Sequence, residues 1–115
     1  MLQTGWKDAV ITITDDAALS AEVDLGMVCD GLLIIIPELD DTTQVSIQVS
    51  DVSGGTFQDL YITDPADGGD NILISAASAG ETTWIFPFGG FQFIKIKADI
   101  DQEADRTFKV CGTRS

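Results

Sequence analysis

The chain has 115 residues with 44% hydrophobic content, 22% charged content, 19 acidic against 6 basic side chains and no histidine. That length fits one domain able to bury a core without staples, and the apolar fraction excludes a disordered chain. A net charge of -13 repels phosphate backbones and anionic lipid, so nucleic acid and membrane are not expected partners.

Residues 1–8 carry no strand pattern of their own and read as a flexible or docking N-terminal arm ahead of the domain, which takes in the whole of 1–115. They show no basic segment followed by an apolar stretch, so export by a signal peptide is not expected. Ala9 to Thr14, AVITIT, is β-branched and alternating, a first strand. Leu19 to Leu25, LSAEVDL, places Leu19, Ala21, Val23 and Leu25 on one face and Ser20, Glu22 and Asp24 on the other. Met27 to Ile36 contains the run LLIII, which predicts a central strand covered on both faces, stopped by Pro37. The run is far shorter than the roughly 20 residues of a membrane-spanning helix.

Val45, Ile47 and Val49 alternate with Gln44, Ser46, Gln48 and Ser50, the turn formers Asp51, Ser53, Gly54 and Gly55 follow, and Thr56 to Thr63 returns. Thr43 to Thr63 is therefore predicted to be a β-hairpin. Thr63 to Asn71 concentrates Pro, Asp, Gly and Asn and reads as the longest loop, with short strands expected at Ile72 to Ser75 and Thr82 to Phe86. In Phe91 to Ala98 the apolar residues change parity, which predicts a bulge near Phe93 and Ile94. Arg106 to Cys111 closes the chain with Phe108 and Val110 on one side. These period-two segments predict an all-β fold, a single jelly-roll-like antiparallel β-sandwich of about eight to nine short strands.

Without histidine the usual general base and commonest metal ligand are missing, and no activated nucleophile or oxyanion motif stands out, so no enzyme and no cofactor are expected. Asp99, Asp101, Glu103 and Asp105 place carboxylates at every second position and are the weak calcium candidates. An EF-hand needs glycine and glutamate where Ala104 and Val110 stand, and the expectation is a solvated acidic connector. Asp64, Asp67 and Asp70 read the same way. Cys29 and Cys111 have no CxxC or histidine companion and are expected as buried thiols. Trp6, Trp84, Tyr61 and the phenylalanines at 86, 88, 91 and 93 could stack on sugars but are expected chiefly in the core. The exception is IFPFGGF, Ile85 to Phe91, whose Phe86, Pro87, Phe88 and Phe91 are hard to bury in one turn and are the candidate protein-contact residues.

The entry strand ALSAEVDLG, the strand closed by Pro37, the hairpin VSIQVSDVSGGTFQDLY, the run FQFIKIKA and the closing ADRTFKV resemble small virion proteins of tailed bacteriophages. The order of VSIQVSDVSGGTF and FQFIKIKA is also similar to discoidin-like jelly rolls. Val52 and Ser53 stand between Asp51 and Gly54 where that pattern has glycine directly after the aspartate, so no ligand residue carries over. The phage resemblance implies a capsid decoration or cement protein, with a tail or fibre position next; the rival from another class, suggested by the aromatic side chains, is a carbohydrate-binding module. The phage resemblance also implies a major capsid protein or other virion protein as partner, a homo-oligomer such as a trimer, and a place in the virion after assembly in the bacterial host cytoplasm.

Overall fold

The computed structural model describes residues 2–40, 43–64, 69–72, 74–75, 82–85 and 90–114. They are all-β, in twelve strand segments: β1 (Leu2–Gln3), β2 (Lys7–Ile11), β3 (Val23–Cys29), β4 (Gly31–Ile35), β5 (Val45–Ser50), β6 (Gln58–Asp59), β7 (Tyr61–Asp64), β8 (Gly69–Ile72), β9 (Ile74–Ser75), β10 (Thr82–Ile85), β11 (Phe91–Ala98) and β12 (Arg106–Arg114). One sheet runs β1-β12-β4-β10, with β2 extending the β1 edge along β12. The other runs β3-β11-β5-β6, with β9 extending the β6 edge along β5. Every pairing is antiparallel. Taking β1 with β2 and β6 with β9 as single interrupted edges, the strand order in the two sheets is that of a jelly roll, the expected sandwich.

Alternation decides which side of each strand enters the core. Ala9, Ile11, Leu32, Ile34, Phe108 and Val110 from one sheet meet Val23, Leu25, Val45, Ile47, Ile94 and Ile96 from the other, all nearly or wholly inaccessible. Cys29 and Cys111 are buried thiols. Burial raises the Cys29 pKa, with Asp30 and Cys111 adding to the shift.

Several expected boundaries are corrected. Of the two alternatives for the N-terminal arm, flexible or docking, the arm docks on its own domain, and strand begins earlier than Ala9: Leu2 and Gln3 pair with Arg114 and Thr113, and Lys7 to Ile11 pair with Val110 to Arg106. Met27 to Ile36 is not one strand. The chain leaves one sheet at Cys29 and enters the other at Gly31, and the corner is held where the Asp30 amide donates to the Thr113 carbonyl at 3.0 Å. Regular strand begins at Val23 rather than Leu19, because Ser20 turns inward in place of its apolar neighbours. It is 3% exposed, its Oγ accepts from the Ile96 amide at 2.9 Å, and Ala21 is exposed instead. The expected Thr63 to Asn71 loop contains a two-stranded ribbon of β7 on β8, and the hairpin's second arm leaves β5 after Leu60 to form it.

The parity change in β11 is a register shift between Phe91 and Phe93, close to the predicted place. Phe91 pairs with Cys29 but Phe93 with Asp24, so the extra residues lie on β3. Gly26, at φ 89°, makes the detour possible.

Candidate functional site

The acidic run ties one end of the sandwich together. Asp99 Oδ1 accepts from the Gln44 amide at 2.7 Å, and Asp105 Oδ1 accepts from the Ile13 amide at 3.0 Å. Asp40 meets the same connection: its Oδ2 accepts from the Glu103 amide at 3.1 Å, and its Oδ1 accepts from Arg106 Nη2 at 2.6 Å. At the centre lies Gln102, 4% exposed. Its amide N–H donates to the Ala17 carbonyl, its Nε2 to Thr43 Oγ1 and the Ile100 carbonyl, and its Oε1 accepts from the Asp40 amide and Arg106 Nε.

Three connections, from β2 to β3, β4 to β5 and β11 to β12, are thus pinned to one another by side chains satisfying loop backbone. Asp101 and Glu103 line an open cleft of about 600 Å³ with Glu38, Asp40 and Arg106. Among the described residues no group of three or more acidic or cysteine side chains is arranged to hold a metal ion. Asp99 and Asp105 each spend an oxygen on a separate loop, and Arg106 brings a positive charge to the space a cation would enter. A chelator is therefore expected to leave the melting temperature unchanged, whereas a calcium site would lose RT ln(1 + [L]/Kd) of stability on treatment. A fall of several degrees on chelation would show that these carboxylates bind metal.

The second place lies at the other end of β5, around the β5–β6 turn. Gly54, at φ 69°, allows the turn to close, and Glu22 tethers it, accepting from Ser53 Oγ at 2.7 Å and from the Gly54 amide at 2.6 Å. Those bonds, the backbone one first, hold the Glu22 carboxyl below its usual range. Asp24 is lowered likewise by the Gln92 side chain and the Gly26 amide, the bonds that pin the β3 detour against β11. Between turn and β11 lies a cleft of about 450 Å³ lined by Ser50, Asp51, Thr56, Gln58, Asp59 and Phe91, among others. Asp59 is held on its rim by Gln48 at 3.1 Å and Lys97 at 3.4 Å, and Lys95 covers the Phe57 ring at 4.8 Å.

Of the candidate contact residues, Phe86, Pro87 and Phe88 lie outside the described residues, as does Asp67. Phe91 is half-buried and packs against the core, so it supplies less exposed surface than the sequence implied. What the sequence reading missed is apolar surface on both sides of the 86–89 stretch. Before it, Trp84 is 57% exposed; after it, Gly90 sits 3.7 Å from the Val28 side chain, measured from the position a Cβ would take, and Val28 is 52% exposed on the β3 detour. Trp6 and Tyr61 are each 50% exposed, so these aromatics and Trp84 are not core. The signal for Val28 was Gly26 in a strand pattern, a mark of a bulge.

Among the described residues no helix is long and apolar enough to cross a membrane. No protein-family model and no curated protein matches the chain. Among solved structures the chain is similar to SPBc2 prophage-derived protein YomS, at 14% sequence identity, a TM-score of 0.49 and 97% coverage of each chain.

Proposed function

We propose that the protein is a non-enzymatic structural component of a bacteriophage particle that decorates or cements the capsid through protein–protein contacts. The observation that carries the contact mechanism is the exposure of Val28 on the β3 detour, beside Gly90 at the entry to β11. On a chain of net charge -13, an apolar side chain held out on a strand detour is surface that gains ~25 cal/mol per Å² when a partner covers it. The acidic connections would instead need charge to be desolvated. The sequence resemblance to tailed-phage virion proteins supplies the setting: a major capsid protein or another virion protein as partner, assembly in the bacterial host cytoplasm, and a homo-oligomer that adds up modest contacts. A tail or fibre position is the variant of this reading.

A carbohydrate-binding module is the second reading, favoured by the cleft in which Phe91 stands beside Gln58 and Asp59. Co-sedimentation with particles lacking the protein separates the two. Phe88→Ala and Val28→Asp should each weaken attachment while melting within a few degrees of the wild type, and Asp67→Asn should attach normally. Wild-type attachment by both folded contact variants, or release of the wild type by soluble oligosaccharide, would overturn the protein-contact reading.

A further inference from the structure

The composition of β4 and its surroundings disagree. Leu32 to Ile36 has the unbroken apolar pattern of a strand covered on both faces. Leu32, Ile34 and Ile36 are 0 to 1% exposed, but Leu33 and Ile35, on the other side of the sheet, are only half-buried. Their neighbours on β10 continue the same surface, Trp84 beside Leu33 and Thr82 beside Ile35; on β12 Lys109 flanks Ile35, whereas Cys111 beside Leu33 is 1% exposed and bonded to the Thr4 carbonyl, so the open face ends there. Across β12, Thr107 stands opposite Val10, and Lys109 opposite Asp8. The charged strand residues that alternate to this face are Asp8 and Lys109, bridged at 2.9 Å.

We propose that this outer face of the β2-β12-β4-β10 sheet binds the same face of a second copy of the chain. Charge selects that occupant. Two chains of net charge -13 repel wherever acidic surface meets acidic surface, and here one acid and one base cancel, so the copies can approach without like-charge contact. A two-fold contact is self-complementary by construction, and the side chains offered are those that interfaces favour: Trp84 at its edge and the apolar row of Leu33 and Ile35 at its centre. A basic partner would find its complement at the acidic connections instead. Four strands ~4.8 Å apart and about five residues long give a plan area on the order of 300 Å² per copy, short of the ~800 Å² of a standard interface. The pair is therefore a concentration-dependent equilibrium that a lattice of further contacts would reinforce.

Sedimentation equilibrium of the full chain, from low micromolar to near-millimolar protein and at low and high salt, tests this without any particle, so its outcome is independent of the virion reading. The average mass should climb from one chain towards two as concentration rises, and more steeply at high salt, because screening removes the repulsion between the two anionic bodies. Thr82→Glu and Trp84→Glu, both at exposed positions, should weaken pairing by more than about tenfold with melting curves like the wild type's. Val28→Glu, on the other sheet, should pair normally. The proposal falls if the wild type holds the mass of one chain throughout, if the mass levels off at a multiple other than two, if salt weakens association, or if folded Thr82→Glu and Trp84→Glu associate like the wild type.

Discussion

Phe108→Ala is expected to lower the unfolding free energy by about 3 to 5 kcal/mol, the range for deleting a fully buried phenylalanine. Phe108 has no exposed surface and is the largest of the wholly buried side chains among the described residues. Its strand, β12, is paired on both sides, with β2 along one edge and β4 along the other, so the backbone has little freedom to collapse into a void. Its register partner on β2 is Ala9, a small side chain that leaves the ring room and cannot fill the space once the ring is gone. Urea unfolding should show the loss as a lower midpoint with an unchanged slope, since the surface exposed on unfolding is the same. Phe108→Leu, which keeps most of the volume, should lose much less. A loss below about 1 kcal/mol for alanine would mean that the two sheets close over the gap, and that the core is less tightly packed than its burial indicates.

Period-two patterning made the β architecture and most of the core legible, because alternation is a local property: Val45, Ile47 and Val49, or Phe108 and Val110, declare their face without reference to the partner strand. The crossing at Asp30 was not legible. A jelly roll passes from sheet to sheet through a short corner, and Met27 to Ile36 is apolar on both sides of it. Val23 and Leu25 face the core as the alternation predicts, but Ser20 takes the inward place expected of Leu19 and Ala21, because a hydroxyl that accepts from the Ile96 amide is cheap to bury, a fact about β11 that the local pattern cannot contain. The phase change in β11 pointed to the register shift, yet the extra residues sit on β3, since only the pairing of both strands says which one carries the detour. The acidic run was legible as acidic and as a connector. Its work as a set of loop tethers depends on Ile13, Asp40 and Gln44, which are remote in sequence. Trp6 and Trp84 were misplaced for a related reason: size alone assigns an indole to the core, and their exposure follows from edge positions that topology decides.

Gln102→Leu is expected to cost about 2 to 4 kcal/mol, although it replaces a polar side chain by an apolar one of similar size in a nearly closed site. The side chain has two donor contacts, to Thr43 Oγ1 and the Ile100 carbonyl, and two acceptor contacts, from the Asp40 amide and Arg106 Nε. These partners do not suffer equally. Arg106 keeps its 2.6 Å contact with Asp40, and Thr43 still donates its hydroxyl to the Asp40 carbonyl at 2.6 Å, so each retains a bond. The Asp40 amide is left facing leucine, and a buried donor without an acceptor costs ~1 to 3 kcal/mol, to which the other lost bonds add ~0.5 to 1.5 kcal/mol apiece less what the leucine regains by burial. The loss should also be local in its signature. Amide exchange ought to quicken at Asp40 and, as the connections separate, at Gln44 and Ile13, while Ile96 in the sheet centre keeps its protection. A change smaller than about 1 kcal/mol with exchange unaltered at Asp40 and Gln44 would show that water replaces the glutamine freely, and that this end of the sandwich is a solvated acidic connector rather than a latch.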